Sequence, residues 1–242
     1  MKVRGVGAVR MPARRAFFGV VVAGFVVSAL VVGVGTPAVG NGCTIMGTAG
    51  PDILVGTAGP DFICGLGGDD EIRGQGGDDT IYGGAGNDWI KGGPGNDWIN
   101  GEDGDDYIYG NPGNDVMNGW TGTDTVSYIN AAGAVTVGLG VGTAFGADGS
   151  DTLSGFENLE GSNAGGDVLT GDSFSNLIWG VGGADTIVGG PGNDELRGGP
   201  GNDGLYAGDG SDLAKGGADT DNCWDPEGGS YNTCETIFDW AP

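Results

Sequence analysis

"GGAGNDWIKGGPGNDWIN" occupies residues 83–100 and is one nine-residue phrase written twice. Glycine opens each half (Gly83, Gly92) and returns fourth (Gly86, Gly95), Asp stands sixth (Asp88, Asp97), and Ile stands eighth (Ile90, Ile99). The phrase extends in both directions without a gap, from Gly47 to Ser127. Its fourth slot is always Gly. Its sixth is always Asp: Asp52, Asp61, Asp70, Asp79, Asp88, Asp97, Asp106, Asp115 and Asp124. Its eighth is always aliphatic or Met, from Leu54 through Ile72 and Ile108 to Met117 and Val126. Repetition at a fixed short period predicts a stacked repeat architecture in which each unit buries its apolar face against its neighbours.

The pattern G-G-x-G-x-D-x-U-x resembles the RTX, or hemolysin-type calcium-binding, nonapeptide repeat. The first six residues must turn sharply, and Gly supplies positive φ there at little steric cost. The last three form a very short strand with slot eight on one face and slots seven and nine on the other. Two units make a coil of eighteen residues. The expected fold is all-β, a parallel β-roll (right-handed β-solenoid) closed by a disulfide-stabilised C-terminal cap. The resemblance implies Ca²⁺ as cofactor, held between loops one coil apart by Asp side chains and backbone carbonyls, an oxygen set that suits a hard cation. Asp pairs eighteen residues apart, such as Asp70–Asp88 and Asp88–Asp106, are then the candidate ligands. Slot five is often Asp or Asn (Asp69, Asp78, Asn87, Asn96, Asp105, Asn114), equally readable as turn chemistry or as further ligands.

The period lapses at residues 128–161, a connecting β segment. Val135, Val137, Leu139 and Val141 alternate there and predict one longer strand with a buried face. Asp151 fits the nonapeptide once, with Gly149 and Leu153. A second array, 162–222, carries Asp167, Asp185, Asp194, Asp203 and Asp212, with Asp221 a weaker match. It is less regular, since Asn176 replaces Asp and Phe174 replaces Gly. Residues 223–242 leave the period, and Trp224, Phe238 and Trp240 are expected to form the cap.

Residues 1–40 read as an export signal: basic residues, an apolar run from Phe17 to Gly35, then the small residues of "TPAVG", with cleavage after Ala38 or Gly40. An uncleaved anchor is the alternative, because the run is about long enough to span a bilayer. Arg14 and Arg15 form a twin-arginine pair, which is also ordinary in such a basic stretch. Export predicts a secreted, extracellular protein. Cys43 and Cys64 flank the start of the repeats, and Cys223 and Cys234 flank their end. Three pairings are possible, and local pairing within each end is the simplest.

Charge limits the partners. The chain holds 9 basic and 33 acidic residues. Five basic residues precede residue 16 and the first acid is Asp52, so cleavage leaves 9 − 5 = 4 basic residues and a net charge of 4 − 33 = −29. Such self-repulsion opposes compaction and argues against nucleic acid and, after cleavage, anionic membrane as partners. It argues for a cation bound within the fold. The chain has 57 glycines and no His. Absence of His excludes Ser-His-Asp machinery and HExxH zinc sites. The expectation is a calcium-binding protein without enzymatic activity that folds on binding. The alternatives are a surface adhesin or glycan-binding protein on the same scaffold and, third, a polysaccharide-active enzyme. Trp89 and Tyr107, one coil apart in slot seven, are the candidate sugar-stacking strip.

Overall fold

The computed structural model describes residues 30–32, 42–225, 230–232 and 236–239, with side chains for 42–224. The chain winds as a parallel β-solenoid of about ten turns, with no helix among the described residues. Among these residues the strands form two sheets, one of eleven and one of thirteen. Consecutive repeat strands alternate between the sheets, so Trp89–Lys91 lies in one and Trp98–Asp103 in the other. Each coil adds one strand to each sheet. The register is the eighteen-residue step: Ile72 faces Ile90, Ile90 faces Ile108, and Ile81 faces Ile99.

Slot eight supplies the core. Leu54, Ile63, Ile72, Ile81, Ile90, Ile99, Ile108, Met117 and Val126 are all 0% exposed. Alternation along a three-residue strand makes this unavoidable, because only the middle residue can point between the sheets. In the second array slot eight is twice a smaller residue, Ala214 and Cys223, and both are buried. Glycine is required where coils touch. Gly104 has φ 137°, and a Cβ there would collide with the carbonyl of Gly86 one coil below.

The connecting segment stays in the solenoid but breaks its parallel rule. The strand Val135–Gly138 pairs antiparallel with Thr143–Gly146, which pairs antiparallel with Gly149–Ser154. The last of these lies parallel to Val116–Thr121, while Val135–Gly138 lies parallel to Val168–Thr170. The meander thus adds two strands to one sheet without adding a full coil to the other. The single long strand expected over Val135, Val137, Leu139 and Val141 is not formed. The chain turns after Gly138, leaving Val137 1% exposed and Val141 77% exposed. "GLGVG" surrounds Val141 with glycine, and Gly142 takes φ 67°, so the turn overrides the alternation.

At the N-terminal end, Cys43 and Cys64 form a disulfide with Cα atoms 6.0 Å apart. Cys223 is also disulfide-bonded, and its expected partner Cys234 lies outside the described side chains. The expected C-terminal cap takes a different form in the described backbone. Ser230–Asn232 and Thr236–Asp239 add one more parallel strand to each sheet. Trp224 stacks flat on Tyr206, centroids 4.4 Å apart, beside its neighbour in register rather than across the end. Phe238 and Trp240 lie outside the described side chains. Most of the expected export signal also lies outside the described residues. Leu30–Val32 is described as an edge strand parallel to Ile53–Val55.

This packing sets a contrast. Ile90→Ala should cost about 2–5 kcal/mol, because a fully buried side chain leaves a cavity between two rigid sheets. Val141→Ala should stay within about 0.5 kcal/mol, as expected for an exposed position. Denaturant unfolding in calcium would measure both, and comparable losses would contradict the turn after Gly138.

Candidate metal centre

Slot-six aspartates form two stacks along the solenoid. In each step the backbone N–H of one Asp donates to Oδ1 of the Asp eighteen residues later. The steps Asp52 to Asp70, Asp61 to Asp79, Asp70 to Asp88, Asp79 to Asp97, Asp88 to Asp106, Asp97 to Asp115 and Asp106 to Asp124 are each 2.8 Å. Asp115 continues the stack by donating to Asp151 at 2.9 Å, across the inserted meander. In the second array the N–H groups of Asp167, Asp185 and Asp194 donate to Asp185, Asp203 and Asp212 at 2.8 Å. Asp203 donates to Asp221 at 2.9 Å, so the weak match at Asp221 does join the stack.

One carboxylate oxygen is thereby satisfied, and the other is not. Oδ2 of Asp70, Asp79, Asp88, Asp97, Asp106, Asp115 and Asp124 is buried without a hydrogen-bond donor. The same holds for Asp185, Asp194 and Asp203. A buried carboxylate without a counter-charge is strongly disfavoured, so the group either gains a cation or holds a proton. Burial pushes Asp88, Asp97, Asp106 and Asp185 up to about 7 and Asp115 to about 8. Asp70, Asp79, Asp124, Asp194 and Asp203 rise to about 6 for the same first reason. The N–H from the coil below pulls each one down, and the neighbouring carboxylates push it up.

The second oxygen is not alone. A Cβ placed on Gly83 would strike both Oδ2 of Asp88 and the carbonyl oxygen of Gly101 in the next coil. Gly92 sees Asp97 and Gly110 in the same way, and Gly180 sees Asp185 and Gly198. Slot-one glycine therefore clears a space where a carboxylate oxygen and a carbonyl oxygen converge. That donor set fits Ca²⁺, which takes carboxylate and carbonyl oxygens together. Among the described residues no three His, Cys, Asp or Glu side chains cluster. A site here would rest on paired carboxylates completed by backbone carbonyls.

Some expected ligands are satisfied by the polypeptide itself. Oδ2 of Asp52 accepts from the N–H of Thr48 at 2.6 Å and its hydroxyl at 2.8 Å. Thr57 does the same for Asp61. In Asp167, Oδ2 accepts the N–H of Ser162, and Oδ1 accepts its hydroxyl and the N–H of Val135. Asp151 accepts the Tyr128 hydroxyl at 2.8 Å. Asn176, in an Asp slot, donates its amide to the carbonyl of Glu157 at 2.9 Å. Glu157 is a member the sequence reading missed: its carboxylate accepts the N–H of Asp124 at 2.8 Å, in the place of a slot-six Asp. The signal was Leu159 two residues on, buried opposite Val126 as slot eight requires.

Slot five makes hydrogen bonds between coils. Oδ1 of Asp69, Asp78 and Asn87 accepts the N–H of Asn87, Asn96 and Asp105 one coil on, at 2.8–2.9 Å. It is a second, exposed ladder. The expected strip of Trp89 and Tyr107 also changes. The two are in register, but the Tyr107 hydroxyl donates to Glu160, which also accepts from Ser127 at 2.5 Å. Trp89 instead meets Tyr109 edge-on, with centroids 5.2 Å apart.

No curated protein matches the chain. The family described as RTX calcium-binding nonapeptide repeat (4 copies) matches residues 46–81, 56–90, 65–99, 91–126, 162–196, 179–214 and 188–223. These segments cover both arrays and more than half the chain, and the chain belongs to the RTX calcium-binding nonapeptide repeat family.

Proposed function

We propose that the protein is a secreted, non-enzymatic calcium-binding protein whose solenoid folds when calcium enters the aspartate stacks. The observation that carries this reading is the file of buried Oδ2 atoms, most of them, such as those of Asp70, Asp79, Asp88, Asp97, Asp106, Asp185, Asp194 and Asp203, beside a carbonyl oxygen from the next coil. Asp70, Asp79, Asp88, Asp97, Asp106, Asp115 and Asp124 would hold the ions of the first array, and Asp185, Asp194, Asp203 and Asp212 those of the second. Bound Ca²⁺ would supply the positive charge that these buried carboxylates lack. Without it, like charges repel along each stack, and the many glycines favour the unfolded chain.

Export is supported by the basic and apolar N-terminal segment and by the Cys43–Cys64 disulfide, which suits an oxidising compartment. A chain unfolded at low calcium would suit passage through a secretory channel and folding outside. The absence of His and the commitment of most acidic side chains to stacked slots support a non-enzymatic role.

Circular dichroism of the mature chain should show little strand structure in chelator and a cooperative gain at about millimolar Ca²⁺, the range of extracellular calcium modules. An identical spectrum and melting temperature with and without calcium would refute calcium-coupled folding.

Within the stack, position should matter. Asp88→Asn should remove more bound calcium, by calorimetric stoichiometry, than Asp52→Asn. Asp88 lies between two coils with an open Oδ2, whereas Thr48 already satisfies Asp52. Equal losses from the two variants would contradict inter-coil sites.

Acid should act in opposite senses with and without metal. In the chelated protein the stacked carboxyls have folded-state values above their ordinary 3.8. The metal-free fold thus binds more protons than the unfolded chain, and its stability is present below about pH 4 and lost as pH rises through about 6–8. Chelated protein should gain strand signal on acidification from about pH 8 to 5, while calcium affinity falls over the same range because protons compete for the ligands. Chelated spectra that do not change across this range would contradict burial of the carboxyls in the metal-free fold.

A further inference from the structure

We infer that the outer face of the first array carries a binding groove for a short anionic carbohydrate, one bearing uronic-acid carboxylates. The groove has a volume of about 470 Å³ and is lined by Arg73, Gln75, Trp89, Lys91 and Asn111, with Pro94 and Pro112 along its walls. It crosses the strands Glu71–Arg73 and Trp89–Lys91, whose slots seven and nine point away from the core.

Charge gathers at two places on the outer faces, and only here does a basic residue stand without an ion pair among the described residues. Only four basic residues lie beyond residue 15: Arg73, Lys91, Arg197 and Lys215. Two of the four line this one groove, in a chain with 33 acidic residues. Arg197 and Lys215 are both engaged by Glu195, at 2.9 and 2.5 Å. Arg73 pairs with Glu71. Lys91 makes no ion pair among the described residues. The Asn111 amide nitrogen is buried at the groove without an acceptor. The groove thus offers donors and positive charge, and calls for an acceptor-rich anion.

Trp89 selects the class of anion. Its indole is fixed between the Arg73 guanidinium, 5.9 Å from the ring centroid, and the edge-on Tyr109 ring, 5.2 Å away. The indole is partly exposed, and it would receive the apolar C–H face of a sugar ring once the exposed Arg73 side chain swings off the ring. Hydroxyls and carboxylates at the ring edge would then meet the amides of Gln75 and Asn111 and the ammonium of Lys91. An inorganic anion would make no use of the indole. An acidic peptide would match the cations but present no flat apolar face to Trp89. The groove needs only the folded roll, so it stands independently of which sites calcium fills.

Calorimetry at fixed free calcium tests this with a galacturonic acid trisaccharide, the corresponding neutral galactose trisaccharide and a short polyglutamate peptide. One uronate site is expected, weakened about tenfold or more by Lys91→Ala and by Trp89→Ala, since truncating a central anchor carries most of the loss. Both residues lie outside the core, and circular dichroism and calcium stoichiometry of the variants should match the parent. Tyr206→Ala, in the other sheet, should bind the trisaccharide like the parent. Several results would overturn the inference: no uronate binding, unchanged affinity in both groove variants, or equal binding of either control. Normal calcium stoichiometry beside any of these would leave the calcium reading intact while removing the groove.

Discussion

Every coil of this protein depends on a carboxylate held between two backbones. The Asp88 carboxylate accepts the N–H of Asp70 with one oxygen and leaves the other buried without a donor. The first contact sets the eighteen-residue register. The second creates a demand for positive charge that the polypeptide cannot meet, since all four basic residues beyond residue 15 lie in the outward slot nine. The same side chain therefore specifies the stacking geometry and, when ionised without a cation, opposes it. A helix or an ordinary sheet satisfies its polar groups internally. This solenoid satisfies its backbone but leaves its carboxylates open.

Glycine content follows from the same constraint. A Cβ on Gly83 would occupy the space where Oδ2 of Asp88 and the carbonyl of Gly101 meet. A Cβ on Gly104 would strike the coil below. Glycine in slot one thus serves a space requirement, and glycine in slot four, as at Gly104, serves both space and a positive φ. They also raise the entropy of the unfolded chain.

Most of this was readable in the sequence because the period is strict. Slot eight and slot six specified the core and the stacked aspartates, and the eighteen-residue register followed from two units per coil. The meander was not readable. Val135 to Val141 alternates like a strand, yet the glycines at 138, 140 and 142 allow a turn that alternation cannot register. Glu157 was hidden because it is Glu in an Asp slot, with no glycine at the start of its unit. The partner of Tyr107 was hidden for a different reason: Glu160 is 53 residues away and reaches it only because the meander brings its strand alongside Thr125–Ser127. The side-chain ladder of slot five left no trace beyond a preference for Asp and Asn, which turn chemistry explains equally well.

The exceptions to the open-carboxylate rule fall in one pattern. They stand where the eighteen-residue step has no preceding unit or is interrupted. Thr48 and Thr57 close the carboxylates at the start of the first array, and Ser162 closes Asp167 at the start of the second. Around the meander, Tyr128 satisfies Asp151, and Asn176 replaces a carboxylate with an amide that donates to Glu157. At the array starts, where no aspartate of a preceding unit donates from below, a local backbone N–H and hydroxyl supply the hydrogen bonds instead. Side-chain closure marks the start of each array, and open carboxylates run from there to Asp124 in the first and through Asp185, Asp194 and Asp203 in the second. The meander is therefore a boundary between two runs of cation-demanding coils, held together by hydrogen bonds that need no metal.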